Sequence, residues 1–298
     1  MTDLPRLRPE PIPAIHPMPE YLAEGRRKAW YEDMKQIFQV PWMGVVTMAY
    51  AHYPNFYETL WQGVRDLCAS QPFVEGCLGN RAFVETEVAK LDPAPIGERL
   101  GEIGYARREI EAIRQIIEVF SHGNQPYVVL ATITRYLLEA GDVGGTTDPE
   151  AAPPFVGRHA PPLDVPFVLM EAHHADAPTR DVYEDLKRVL NLPFVNTDYR
   201  ALARWPSYWA MAWGDLRQAA GTPVHETICQ AVHDRCVKLA EKTLPNPGGI
   251  TAETLRRAAE KDAPFEEIRD VCRLFQWLLP GLVTNVAYLR AQLVASTA

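Results

Sequence analysis

The stretch "YEDLKRVLNLPFVNTDYRALARWPSYWAMAWGDLRQA", residues 183–219, predicts the fold because a second version of it occurs earlier in the chain. That version, "YEDMKQIFQVPWMGVVTMAYAHYPNFYETLWQGVRDL", covers residues 31–67 and aligns without a gap at an offset of 152 residues. Ten of the 37 aligned positions are identical, whereas about two would be expected from average composition. Residues 113–132 and 268–286 resemble each other more weakly. We therefore interpret the protein as two copies of one helical unit.

The periodic segments of the chain are helical in pattern, and no alternating run demands a sheet, so we expect an all-α fold. Prolines indicate breaks, which predicts one helix over 193–205 and one over 41–53. The same rule predicts separate helices over 107–122 and 125–139, with Asn124 at the break, and over 264–279 and 281–296. A Gly- and Pro-rich segment without helical period separates the copies. The predicted organisation is an N-terminal tail (1–20), helical repeat 1 (21–140), a linker (141–171) and helical repeat 2 (172–298).

The second copy carries a carboxylate where the first has an apolar side chain. Asp198 falls on one stripe of the predicted helix 193–205, with Phe194, Ala201, Leu202 and Trp205. The aligned residue in the first copy is Val46. Two interpretations stay open from the residues alone. One is a structural acid, at the solvated edge of the stripe or bonded to Tyr199 or Arg200, and the other is a buried functional carboxylate. Asn124 likewise is either a turn asparagine or an amide that binds water.

Composition and the motifs that the sequence lacks exclude several classes of protein. The 298 residues carry a net charge of −8 and no basic run, so we expect no nucleic-acid partner. No segment is apolar enough for a signal peptide or a membrane span, which favours a cytoplasmic protein without a membrane partner. No zinc motif, C-x-x-C pair or nucleotide-binding Gly-rich loop occurs, so we expect no metal and no cofactor. The cysteines are odd in number and lie in helical patterns, which indicates reduced thiols: Cys68, Cys77, Cys229, Cys236 and Cys272.

Four stretches of the chain resemble a known enzyme family. They are "VPWMGVVTMAYAHYP" (40–54), "HGNQPYVVLAT" (122–132), "LPFVNTDYRALARWP" (192–206) and "LFQWLLPGLVTNV" (274–286). Together they are similar to the group I 2-haloacid dehalogenases, especially to the members that act on D-2-haloacids. The resemblance extends from about Pro19 to Leu293 and includes the duplication. It implies an all-helical enzyme without a cofactor, with its active site between the two copies.

The resemblance also implies roles for particular residues. Asp198 matches the aspartate that activates water, and Asn124 matches the asparagine that helps to hold that water. The substrate-binding positions of the family match Trp42, Val45, Tyr127, Asn196 and Thr197, together with one face of the last helix, Phe275, Leu278, Leu279 and Leu282. Many members also have a Thr and a Glu four residues apart after the first repeat's Trp. Here Ser70 and Val74 occupy those positions, and we assign them no role.

The implied reaction is hydrolysis of short 2-haloalkanoic acids to 2-hydroxy acids with inversion. Water attacks Cα in line with the departing halide, and no ester forms on the aspartate. The expected partners are the haloalkanoate, water and halide, with a second copy of the chain in a homodimer. Two alternatives are a catalytically silent helical-repeat binding protein and an alkylhydroperoxidase-like enzyme. The second of these needs a redox pair of cysteines, for which the sequence has no motif.

Overall fold

The computed structural model describes residues 4–293, which contain twelve α-helices and no β-strand. The first six helices are α1 (Gly25–Phe38), α2 (Val45–Tyr50), α3 (Pro54–Cys68), α4 (Gln71–Glu87), α5 (Gly97–Glu102) and α6 (Arg107–Glu139). The second six are α7 (Ala177–Leu190), α8 (Thr197–Leu202), α9 (Pro206–Ala219), α10 (Pro223–Lys238), α11 (Ala252–Ala259) and α12 (Phe265–Leu293). The all-α prediction is confirmed. Among the residues described, no helix is long and apolar enough to cross a membrane.

The helix order follows the sequence repeat. Helices α1 and α7 have the same length and begin 152 residues apart, and so do α2 and α8. A left-handed residue, Gln39 or Asn191, ends the first helix of each set, and both have a φ of 53°. A positive φ is uncommon for residues other than glycine. Its occurrence at both equivalent positions is therefore a local feature that the two copies share.

Equivalent side chains also make the same hydrogen bonds. The Tyr31 hydroxyl donates to the Met18 carbonyl at 2.9 Å, and the Tyr183 hydroxyl donates to the Met170 carbonyl at 2.7 Å. The indole N–H of Trp61 donates to Asp33, and that of Trp213 donates to Asp185 at the same distance of 2.9 Å. The identical residues of the repeat therefore preserve contacts that hold consecutive helices together.

The structure corrects the two predicted breaks at proline. Helices α6 and α12 each continue through an internal proline, Pro126 and Pro280, so Asn124 lies within a helix and not between two. A proline removes one backbone hydrogen bond and clashes with the preceding turn. In these two helices the residues around the proline are almost all buried, and the packing of long apolar faces outweighs that local cost.

Two other helices are shorter than predicted, and one helix was not predicted at all. Helix α8 begins at Thr197 and not at Pro193, and Asn196 stands at its N-cap position without a side-chain capping hydrogen bond. Because α2 begins at the equivalent residue after Gly44, the fold of the repeated unit and not a capping side chain sets this start. Phe194 therefore lies outside the helix. Helix α2 is likewise only six residues long and does not cover 41–53. Helix α5 was not predicted, because "PAPIGERLGE" (93–102) is rich in Pro and Gly. No α-helix occurs in the predicted linker, 141–171.

The contacts of the chain define two compact units. Of the described residues, the first unit comprises 4–80, Gly123–Ala160 and Gln230–Pro280. The second comprises Arg81–His122, Pro161–Cys229 and 281–293. Each unit contains helices from both halves of the sequence. The domain boundaries given by the sequence repeat stay a prediction.

In the first unit, residues 4–6, which precede α1, are hydrogen-bonded to α10, α6 and α12. The Leu4 carbonyl accepts a hydrogen bond of 2.7 Å from His233 Nε2, and the Pro5 carbonyl accepts one from Arg135. Arg6 Nε donates to the Trp277 carbonyl at 3.0 Å. The other side of the His233 ring accepts from the Gln276 amide. This network satisfies polar groups that are buried and would otherwise cost free energy.

The five cysteines, Cys68, Cys77, Cys229, Cys236 and Cys272, are free and buried. Burial raises the pKa of Cys68, Cys77 and Cys272 well above its ordinary value, because a thiolate is poorly solvated in an apolar environment. The prediction of reduced thiols agrees with this structure, in which none of the five forms a disulfide.

Candidate active site

Asp198 is the second residue of α8, and its side chain is buried, with 2% of its surface exposed. The equivalent Val46 in α2 is also 2% exposed. The carboxylate therefore occupies a position that the same fold elsewhere fills with an apolar side chain. This excludes the interpretation of Asp198 as an acid at a solvated edge. A carboxylate in the first turn of a helix is favoured by the helix dipole, which offsets part of the cost of burial.

Two predicted binding residues, Asn196 and Thr197, stand directly before Asp198 and are both 4% exposed. The Asn196 side-chain oxygen is buried and has no hydrogen-bond partner among the described residues. The Thr197 hydroxyl accepts a long hydrogen bond of 3.4 Å from the Arg200 guanidinium. The second unit thus brings a buried carboxylate, a hydroxyl and an amide to one end of a short helix.

Arg200 is a polar neighbour that the sequence analysis did not select. Its guanidinium forms an ion pair of 2.7 Å with Glu171, and its Nε is buried without a hydrogen-bond partner among the described residues. The equivalent residue in the first copy is Met48. The change from an apolar to a charged residue at an aligned position is the same signal that marked Asp198, and it could have identified Arg200.

In the first unit, the predicted residues Trp42, Tyr127 and Asn124 lie close together. The Tyr127 hydroxyl donates to the Trp42 carbonyl at 2.8 Å. Gly123 packs against the Trp42 ring, because a Cβ atom added to Gly123 would lie 2.4 Å from Trp42 Cη2. Only glycine allows this approach, so the ring is fixed beside the turn of α6 that carries Asn124, which is 3% exposed.

The remaining predicted residues lie on α2 and α12. Val45 is the first residue of α2 and is half-buried. The four residues of the α12 face are buried, with exposures between 1% and 6%: Phe275, Leu278, Leu279 and Leu282. The Phe275 ring packs edge-on against Tyr50 at 6.1 Å. The four α12 residues form an apolar helix face without titratable groups, which suits the aliphatic part of a small substrate.

Within residues 4–293, one cluster has atoms that could bind a metal ion. The ligand atoms of His225, Glu226 and Cys229 lie within 4.8 Å of one another. However, His225 Nε2 already bonds to the Asn285 side chain at 2.9 Å, and the Gly221 N–H donates to Nδ1 at 3.3 Å. Both ring nitrogens therefore have protein partners, and the arrangement serves hydrogen bonding better than metal coordination.

The chain matches characterised proteins over most of its length. It is 43% identical over 258 residues to an (R)-2-haloacid dehalogenase of Rhizobium sp. (strain NHG3), covering 86% of this chain and 98% of that protein. It is 34% identical over 280 residues to an (R)-2-haloacid dehalogenase of Pseudomonas putida, covering 93% of this chain and 92% of that protein. No protein-family model matches the chain.

Solved structures give the same result. A complex of D-2-haloacid dehalogenase with L-LA has a TM-score of 0.88 and 31% identity, covering 98% of this chain and all of the other. A mutant D-2-haloacid dehalogenase with D-2-CPA has a TM-score of 0.86 and 30% identity, covering 99% of this chain. These matches define the class as the 2-haloacid dehalogenases, which are hydrolases. Within that class the chain belongs to the family of the (R)- or D-2-haloacid dehalogenases.

Proposed function

We propose that this protein hydrolyses short D-2-haloalkanoic acids to the corresponding 2-hydroxy acids with inversion of configuration. The observation that carries the proposal is the 43% identity with an (R)-2-haloacid dehalogenase over 98% of that protein. The ligands of the similar structures, D-2-CPA and L-LA, are a 2-chloropropionate and a lactate of opposite configuration. That relation is what an inverting displacement on a D-substrate would give.

We infer that Asp198 activates a water molecule that attacks Cα directly. The burial of its carboxylate supports this role, because a base surrounded by few competing waters interacts more strongly with the one that it binds. Asn124 would hold the same water, since a side-chain amide can accept one of its hydrogens and fix its orientation. Holding water, carbon and halide in line would supply much of the rate enhancement.

The residues that we propose for the active site come from both copies of the repeat. Asp198, Asn196 and Thr197 would provide its polar end, and Asn124 the second contact to water. The substrate's apolar part and the halide would meet the remaining residues: Trp42, Val45, Tyr127, Phe275, Leu278, Leu279 and Leu282. The proposed catalytic base therefore belongs to the second copy, and the proposed apolar residues belong to α2 and the segment before it, to α6 and to α12.

Arg200 is our candidate for binding the substrate carboxylate. Its contact with Thr197 and its unpartnered, buried Nε place unused hydrogen-bonding capacity beside the polar end of the proposed site. Charge-assisted hydrogen bonds from a guanidinium to a carboxylate are stronger than neutral ones. Glu171 neutralises part of the Arg200 charge, which would keep the binding of the product anion from becoming too tight.

Halide release from separate D- and L-2-chloropropionate tests the activity. We expect halide only, or much faster, from the D-enantiomer, and lactate of the L-configuration by chiral chromatography. Absence of halide from both enantiomers would favour the binding-protein alternative. The alkylhydroperoxidase-like alternative predicts peroxide reduction. That reaction needs a reactive cysteine pair, whereas every cysteine here is buried and free.

A single turnover in ¹⁸O-labelled water, with enzyme in excess over D-2-chloropropionate, tests direct attack by water. Labelled oxygen in the first lactate formed supports the proposal. Unlabelled lactate, with the label later found in the peptide that contains Asp198, would replace direct attack by an ester intermediate.

The sequence also predicts a homodimer and a cytoplasmic location. Light scattering of the purified protein at several concentrations would test the first. Cell fractionation would test the second. Neither result affects the proposed chemistry, because all residues assigned to the site belong to one chain.

A further inference from the structure

Three buried polar side chains form a continuous hydrogen-bonded chain in the second unit. The Asn285 side-chain N–H donates to the Tyr199 hydroxyl at 2.9 Å. Its side-chain oxygen lies 2.9 Å from His225 Nε2, which therefore donates the hydrogen. The exposures of Tyr199, Asn285 and His225 are 0%, 2% and 3%. Burying polar side chains costs free energy unless each of them has a hydrogen-bond partner, and a fully bonded network makes the structure around it more rigid.

The first copy of the repeat shows that the fold does not require this network. The residues equivalent to Tyr199 and His225 are Thr47 and Phe73. The Thr47 hydroxyl bonds to the Gly44 carbonyl in its own turn. When α6 and α12 are aligned on their internal prolines, the residue equivalent to Asn285 is Ala131.

The register of this comparison is fixed by matching helix caps. Ser70 bonds to the Leu67 carbonyl and caps the N–H of Phe73. Thr222 bonds to the Ala219 carbonyl and caps the N–H of His225 in the same way. The polar chain is therefore a property of the copy that carries Asp198.

The chain ends at the residue that follows Asp198. Helix α8 has only six residues, so it is too short to be stable without tertiary contacts. The Tyr199 ring stacks on Trp209 with a centroid distance of 5.4 Å, which holds the plane of the ring but not its direction within that plane. A directional hydrogen bond to the hydroxyl supplies the missing constraint.

We propose that His225 and Asn285 are positioning residues that orient Tyr199, and through it the first turn of α8, so that Asp198 faces its water in the productive direction. This inference rests on the proposed function of Asp198. Neither residue needs to touch substrate. The physical basis is the steep dependence of rate on the placement of a catalytic group, for which an error of about 1 Å can cost on the order of 10²-fold in rate.

Substitutions that remove single hydrogen bonds of the polar chain test the proposal. We expect Asn285→Ala and Tyr199→Phe each to lower kcat about 10- to 100-fold, with KM changed less than about twofold. The double variant should be no slower than the slower single variant, because both remove the same constraint. His225→Gln, which keeps a side-chain N–H donor, should retain more activity than His225→Phe.

Tyr208→Phe is the matched control for Tyr199→Phe. Tyr208 is also fully buried and belongs to the same unit, but its hydroxyl has no hydrogen-bond partner among the residues that the structure describes. We expect its kcat to stay within about twofold of that of the unaltered protein, because no directional contact is lost. Equal losses of kcat in Tyr199→Phe and Tyr208→Phe would show that only packing matters and would overturn the proposal.

Hydrogen exchange separates failure of this proposal from failure of the proposed function. If the chain positions α8, the amides of 197–202 should exchange at least about tenfold faster in Tyr199→Phe than in the unaltered protein and in Tyr208→Phe. Faster exchange in a protein without haloacid hydrolysis would refute the function and keep the positioning role. Active protein with unchanged exchange and unchanged kcat in Tyr199→Phe would refute the positioning role alone.

Discussion

Asp198 and Val46 occupy equivalent, equally buried positions in two copies of one fold. A neutral side chain is therefore tolerated in this environment. We expect Asp198→Asn to fold normally and to lose activity by at least ~10³, the scale for removal of a central catalytic group. Halide release and a thermal melt of the same preparation would measure both. A folded variant with more than a tenth of the original activity would show that another residue is the base.

Asn124 allows a separate prediction, because it is proposed to bind water and not substrate. Asn124→Ala should lower kcat more than it raises KM, since the substrate would still bind while the nucleophile is less well held. Steady-state kinetics with D-2-chloropropionate would measure both constants. An increase in KM with kcat unchanged would assign Asn124 to the substrate carboxylate or the halide.

Arg200→Met introduces the residue that the first copy has at the same position, Met48. We expect KM to rise about tenfold or more, because a charge-assisted hydrogen bond contributes about 1.5–3 kcal/mol, while kcat changes little. Glu171→Gln is the control, because it removes the ion-pair partner and leaves the guanidinium. If KM rises in Glu171→Gln but not in Arg200→Met, the acid and not the arginine contributes to binding.

At the scale of helices, the sequence predicted the all-α fold class from periodicity and selected Asp198 by comparison of the two copies, but it left the burial of Asp198 open. It failed where long-range packing decides. Local rules place a break at Pro126 and Pro280, but each helix continues because the residues around its proline are almost all buried. The start of α8 was missed because the signal of Pro193 is local, whereas both copies of the unit begin this helix at the equivalent residue, after Gly44 in one and after Asn196 in the other.

The polar chain behind α8 could not have been predicted from one sequence. His225 and Asn285 are 60 residues apart, and Asn285 and Tyr199 are 86 apart. No local pattern connects residues at such separations. Their departure from the equivalent residues of the first copy, Phe73 and Ala131, was visible in the sequence, but only the fold shows that the departures form one network. Comparison of duplicated halves therefore identifies candidates, and the structure relates them to one another.

At the scale of the molecule, His233 predicts how stability depends on pH. Burial lowers the pKa of His233 from 6.5 to about 4, and both ring nitrogens are used by the Leu4 carbonyl and Gln276. The unfolded chain therefore binds more protons than the folded one between these pH values. The contribution of His233 to the free energy of unfolding is fully present above pH 6.5. It falls by about 3 kcal/mol as the pH is lowered towards 4.

His233→Gln should reduce that dependence, because glutamine can donate to one partner and accept from the other without binding a proton near pH 5. Denaturant unfolding at pH 7 and at pH 4.5 would measure the difference in free energy. His174→Gln is the control at an exposed histidine. An equal loss of stability on acidification in the unaltered protein and in His233→Gln would show that other groups, such as the half-buried carboxylate of Glu139, dominate acid unfolding.

The burial of every cysteine has a consequence for a protein that works on haloacids. A 2-haloacid is an alkylating agent, and the thiolate is a better nucleophile towards it than water. A thiol that ionised at the surface would be consumed by the substrate. Here burial hides all five thiols and raises the pKa of at least Cys68, Cys77 and Cys272.

We expect native protein to keep its mass in iodoacetate, while denatured protein gains five carboxymethyl groups, one for each cysteine. Resistance to its own substrate would thus be a property of how the chain is packed.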